Sequence, residues 1–199
     1  QRMLDSYKAL KLERRGGILV ITMDNPPVNA MTEAMHGELT RIFHDINHDP
    51  ETKVVVLTGG GEKAFSAGGN VDNMIRRVKN KELQSMSDGL NEAKAILRGF
   101  LNLKKPIIGR INGHAMGLGA TLAVWCDVTF MVKHGKIGDT HVKMGLAAGD
   151  GGAALWPLLV GISRAKELLM TGEVMNGERA AEIGLITHAV DPADLDARV

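Results

Sequence analysis

Cysteine is almost absent from this chain: Cys126 is the one thiol among 199 residues. A single cysteine excludes an internal disulfide framework and supplies no metal-ligand pair. It lies in the apolar run Leu122-Ala123-Val124-Trp125-Cys126, which assigns it to a core. Aromatic residues are also scarce, at 4%, so neither an aromatic-lined pocket nor a base-stacking surface is expected. Neither sign of charge dominates. The 24 Lys and Arg against 23 Asp and Glu leave a formal net charge of +1, and the overall field gives no reason to bind nucleic acid or an anionic membrane. No apolar run approaches the length of a membrane span, and Gln1 to Leu12 is mixed and charged rather than a signal core. The seven histidines show no metal-ligand spacing, so no metal is expected. A reducing cytoplasm is the simplest compartment.

What remains is the balance of an ordinary globular domain, 44% hydrophobic and 24% charged. Ile18 to Met23 reads as a β-branched strand ended by Asn25-Pro26-Pro27. Thr32 is placed to cap a helix carrying Met35, Leu39, Ile42, Phe43 and Ile46 at helical spacing. Lys53 to Thr58 is a continuous apolar strand of the kind buried on both faces. A loop from Glu62 to Asn70 and helical sequence to about Leu103 follow. Further strands are expected at Pro106–Ile111, Val128–Val132 and Leu185–Val190. Helices are expected at Ala120–Trp125, after Gly152 to Leu159, at Arg164–Met170 behind a Ser163 cap, and at Gly177–Glu182. Strands alternating with helices give an α/β domain. We take residues 1–190 as its core and 191–199 as the opening of a C-terminal helical region. Since the first residue is not Met and the last ones open a helix, more of the natural protein is expected beyond Val199.

Two glycine-rich loops stand at strand-to-helix transitions, Ala64-Phe65-Ser66-Ala67-Gly68-Gly69-Asn70-Val71-Asp72 and Asn112-Gly113-His114-Ala115-Met116-Gly117-Leu118-Gly119-Ala120. Glycine lets the backbone approach a ligand and adopt positive φ, and a helix start leaves N–H groups unpaired. Singly, each loop reads more readily as a tight turn, since glycine loops alone are weak signals.

Together the two loops resemble the enoyl-CoA hydratase/isomerase, or crotonase, family. Cys126-Asp127-Val128, Gly145 to Gly152, Leu168-Leu169-Met170-Thr171-Gly172 and Ala180 to Leu185 extend the match over essentially the whole chain. The resemblance implies a crotonase-like spiral of repeated ββα units, a C-terminal helical region largely missing here, and a homotrimer or dimer of trimers. It implies an acyl-CoA substrate, with coenzyme A as part of that substrate and no permanently bound cofactor. Coenzyme A would enter past Pro27, Val28 and Ala30, with Ala67, Asn70 and Thr121 also lining the substrate. The thioester oxygen would sit between the backbone N–H groups of Gly69 and Leu118.

The chain departs from the hydratases where it matters chemically. Their two catalytic glutamates align with Thr121 and His141, neither of them a carboxylate. A threonine hydroxyl is no base near neutral pH. His141 has a suitable pKa for acid–base work, and Asp150 is a candidate to orient it, although an aspartate there also reads as a helix N-cap. A His–Asp pair at these positions looks like the superfamily branch that hydrolyses carbon–carbon bonds in β-diketones. Four readings stand: an acyl-CoA hydratase or isomerase with altered acid–base groups, a carbon–carbon bond hydrolase, an RNA binder using Arg76, Arg77, Lys79 and Lys81, and an inactive scaffold. His114 is read as a turn residue and Asp127 as structural.

Overall fold

The computed structural model describes residues 3–199. Strands β1 (Leu10–Arg15) and β2 (Ile18–Met23) form an antiparallel hairpin. Helix α1 (Glu33–Asn47) follows, then β3 (Val54–Gly59), β4 (Ala64–Ser66), α2 (Val71–Lys79) and α3 (Leu83–Asn102). Next come β5 (Ile107–Ile111), β6 (His114–Met116), α4 (Leu118–Val124), β7 (Val128–Val132) and β8 (Lys136–Gly138). After a 3-10 turn at His141–Met144 the chain continues through α5 (Gly152–Val160), α6 (Ile162–Thr171), β9 (Met175–Asn176), α7 (Gly177–Glu182), β10 (His188–Val190) and α8 (Leu195–Arg198).

Two sheets take these strands in turn. The larger has the order β1-β2-β3-β5-β7-β10, the smaller β4-β6-β8-β9. The units β3-β4-α2, β5-β6-α4 and β7-β8-α5 each lay one strand in the large sheet, one in the small sheet, and then turn into a helix. These are the ββα repeats that the family resemblance implies, and the pairing between them is parallel: Val55 opposes Ile107, Ile108 opposes Val128, and Ala115 opposes Ile137. Central strand β3 is buried from Val55 to Gly59, as a continuous apolar run demands.

Thr32 caps α1 as expected, its hydroxyl accepting from Met35 N at 3.1 Å. That satisfies one orphan donor and contributes about 1 kcal/mol. The predicted face of α1, Met35, Leu39, Ile42, Phe43 and Ile46, is buried. It packs on α3, with the Phe43 and Phe100 rings 4.4 Å apart.

Several local expectations are corrected. Helical sequence up to Leu103 is broken at Lys81, whose φ of 55° closes the turn between α2 and α3. Ser163 caps nothing: α6 starts at Ile162 behind Gly161, with no side-chain cap. The strand foreseen from Leu185 begins at His188, because the Leu185 and Ile186 N–H groups both turn back to Ala180 O and finish α7. His114 belongs to β6, not to a turn, and its Nδ1 accepts from Lys136 N at 3.1 Å. Asp127 is structural as expected, its carboxylate accepting from Ile107 N at 2.8 Å. Cys126 is buried.

Candidate active site

The two glycine loops meet because β4 and β6 lie side by side in the small sheet, Ala64 opposite His114 and Ser66 opposite Ala115. Their approach leaves no room for side chains. A Cβ on Gly119 would fall 2.3 Å from Ser66 O, and one on Gly68, where φ is +81°, 2.5 Å from Met116 O and 3.1 Å from Leu118 N. Gly69 bridges Met31, with Met31 N donating to Gly68 O at 2.8 Å. Leu118 opens α4, all of whose residues are buried. Among the described residues no partner is found for the N–H of Gly69 or Leu118.

The remaining sequence-predicted positions gather around these loops unevenly. Ala67 N donates to Val28 O at 3.0 Å, and the Asn25 side chain donates to Ala30 O at 2.8 Å, so the Pro27–Ala30 segment is tied to the first loop. Asn70 is exposed and caps α2, its Oδ1 accepting from Asn73 N at 3.0 Å. Thr121 is fully buried on α4 and its hydroxyl donates to Asp150 Oδ1 at 2.9 Å.

Asp150 is no helix cap. The N-cap position of α5 is Gly151, without a side-chain bond, while the Asp150 carboxylate turns toward Thr121 and His141. His141 Nε2 lies 3.1 Å from Asp150 Oδ2 in an ion-pair contact. The shorter contact to the ring comes from a second carboxylate, Asp139. Its Oδ1 sits 2.6 Å from His141 Nδ1 and also accepts from the His141 backbone N at 3.2 Å. Asp139 is 1% exposed. Sequence reasoning passed over it, although an acidic residue two before a candidate histidine, at the end of Lys136-Ile137-Gly138, was a readable sign.

The imidazole stands beside the second loop: a Cβ on Gly117 would lie 3.6 Å from His141 Cε1. The hydrogen bond to Asp139, then the close carboxylate of Asp150, outweigh burial and push the His141 pKa up to about 10. That shift favours the imidazolium form of His141, with a proton on each ring nitrogen, near neutral pH. The donor atoms of Asp139, His141 and Asp150 fall within 4.8 Å of one another, close enough for metal ligation. Both ring nitrogens already face carboxylates at 2.6 and 3.1 Å, so a metal would have to displace one of these contacts. A groove of about 760 Å³ lies away from this site, along Tyr7, Leu10, Leu12, Leu19 and Asp45. No helix among the described residues is long and apolar enough to cross a membrane.

Comparison with known proteins bears on the fold and the family. A family model described as enoyl-CoA hydratase/isomerase matches residues 13–198. The short-chain-enoyl-CoA hydratase of Clostridium acetobutylicum is 32% identical over 188 residues, covering 92% of this chain and 69% of that protein. The carnitinyl-CoA dehydratase of Escherichia coli K12 is 31% identical, covering 94% of this chain and 70% of that protein. Among solved structures, an enoyl-CoA hydratase from Bacillus anthracis superposes with a TM-score of 0.88 at 30% identity, over 96% of this chain and 73% of that one.

Proposed function

The chain belongs to the enoyl-CoA hydratase/isomerase family, and from that premise we propose that it hydrates an enoyl-CoA thioester through an enolate held by backbone N–H groups. The observation that carries this reading is the place of His141 and Asp150. Hydratases are expected to carry glutamates at 121 and 141, and here one carboxylate, Asp150, contacts both of those positions, at 2.9 and 3.1 Å. The acid–base pair is thus supplied from position 150 together with the imidazolium.

In this account the thioester oxygen lies between the N–H groups of Gly69 and Leu118. Asp150 takes a proton from water as its oxygen bonds to Cβ. The electrons of the C=C bond pass into the thioester, whose oxygen becomes the enolate oxyanion. His141 then gives its Nε2 proton to Cα. The 3.1 Å contact lets Asp150 return a proton to His141, which resets the site. Coenzyme A, as part of the substrate, passes Pro27, Val28 and Ala30, and the acyl chain runs by Ala67, Asn70 and Thr121. Exposed Leu158, Ile162 and Met170, at 80%, 65% and 67%, support burial of this face in the trimer that the family resemblance implies.

A second reading keeps the same oxyanion hole and is favoured by one observation, the His–Asp ion pair itself. Water activated by that pair would attack a β-diketone, and the hole would hold the departing enolate. Turnover assays separate the two. We expect hydration of short and medium trans-2-enoyl-CoA thioesters and no cleavage of cyclic β-diketones. Diketone cleavage without enoyl-CoA hydration would overturn the hydratase reading and establish the second.

A further inference from the structure

Asp150 was the obvious partner for His141, yet the tighter contact comes from the other side of the ring. We propose that Asp139 is the positioning residue for His141: by holding Nδ1 it turns Nε2 toward Asp150 and keeps the imidazole a proton donor to the reacting acyl chain. The inference rests on the hydratase reading for what the donated proton does, but its geometry does not.

Three features of the fold point to this role. Asp139 Oδ1 grips His141 twice, at the ring Nδ1 (2.6 Å) and at the backbone N (3.2 Å), so ring and main chain are fixed by one oxygen. Asp139 directly follows β8, whose Gly138 O accepts from Gly117 N at 3.0 Å, next to Leu118. The carboxylate is thereby tied to the strand that sets the second loop, and His141 is held in register with the Leu118 N–H. The chain also leaves space for the carboxylate: a Cβ on Gly152 would lie 2.3 Å from Asp139 Oδ2.

The division of labour follows from those contacts. An imidazole with a carboxylate at Nδ1 keeps Nε2–H pointed away from that carboxylate. Asp150, on the Nε2 side and bonded to Thr121, stands where proton exchange with His141 is possible. The charged groups acting on the imidazole are Asp139 and Asp150. Helix α6, packed against the His141 turn, carries Arg164, Lys166 and Glu167, and α5 carries no charged residue. His141 is raised, so it is the protonated form that the site favours. Activity that needs this proton is present at neutral pH and lost as pH rises toward about 10.

The test follows the His141 ring by 15N NMR in histidine-labelled protein, alongside the pH dependence of turnover. In wild type we expect a doubly protonated ring at pH 7.5. In Asp139→Asn the His141 titration and the alkaline limb of kcat should both move down by about 1–3 pH units, as expected when an adjacent opposite charge is removed. Asp139→Glu, which keeps a carboxylate, should restore much of both. A neutral His141 at pH 7.5 in wild type overturns the proposal without any variant. So does Asp139→Asn with wild-type titration and an unmoved limb, and in that case enoyl-CoA turnover would leave the hydratase reading standing. Conversely, a shifted titration in a protein that hydrates no enoyl-CoA upholds the positioning role and removes the hydratase reading.

Discussion

Replacing His141 with glutamine should lower kcat for enoyl-CoA hydration by about two to four orders of magnitude, the usual contribution of a positioned acid–base group. The loss belongs to the chemical step, because in our account Nε2 gives its proton only as Cα becomes tetrahedral. KM should therefore change far less than kcat. Glutamine retains an N–H able to face Asp139, which limits the cost of leaving that buried carboxylate without a donor. Asp150→Asn should cost a similar factor. The double variant should lose little more than either single one, since His141 and Asp150 act as a unit and such effects do not add. Steady-state kinetics of the three variants check this. Near-additive losses would mean that the two residues work separately.

The second large effect concerns a backbone atom. Exchanging the Leu118 amide for an ester, by incorporating the corresponding hydroxy acid, removes one N–H and leaves the side chain in place. We expect kcat to fall by about 10²–10³, the cost typical of deleting one oxyanion-hole donor. Stability should hardly change, because that N–H has no partner among the described residues and is an orphan of the α4 N-terminus in any case. The identity of the side chain matters little to this donor, so Leu118→Ala should retain most of the activity that the ester loses. An ester variant with wild-type kcat would place the oxyanion elsewhere.

Much of this was legible in the sequence, for reasons that can be named. Strands β2 and β7 are rich in β-branched residues, the composition a half-buried pleated strand favours, and Ile18–Met23 and Val128–Val132 are legible with their full bounds. Helix α1 announced itself by a capping threonine and five apolar residues at helical spacing. The short strands β4, β6 and β8 were not legible. At three residues each they carry no periodicity, and two of them lie inside glycine-rich stretches that read equally well as turns. Yet it is this small sheet that brings Gly68 against Leu118 and sets Asp139 beside His141.

The site was legible to the same extent. His141 and Asp150 were singled out by where they fell in a family pattern, and the fold brings them within 3.1 Å. The link from Thr121 to Asp150 joins residues 29 apart and has no local signature. Asp139 was within reach, two residues from the histidine, but an aspartate at a strand end is more often a turn former than a ligand to an imidazole. What separates the two roles is burial, and burial at that position is decided by tertiary packing around Gly152 rather than by its neighbours in sequence.

The central claim is that the chain stabilises an enolate of an acyl thioester, and hydrogen exchange tests it without requiring knowledge of the natural substrate. A saturated short-chain acyl-CoA incubated with the protein in D₂O offers no double bond to hydrate, only Cα–H bonds that an enolate would exchange. With the reset step run backwards, Asp150 takes the Nε2 proton, the freed Nε2 accepts the Cα proton, and a deuteron exchanged from solvent is returned to Cα; our account therefore predicts deuterium incorporation at Cα, seen by mass spectrometry and NMR, and its loss in His141→Gln. A thioester that binds but acquires no deuterium at Cα beyond the uncatalysed rate would contradict the account.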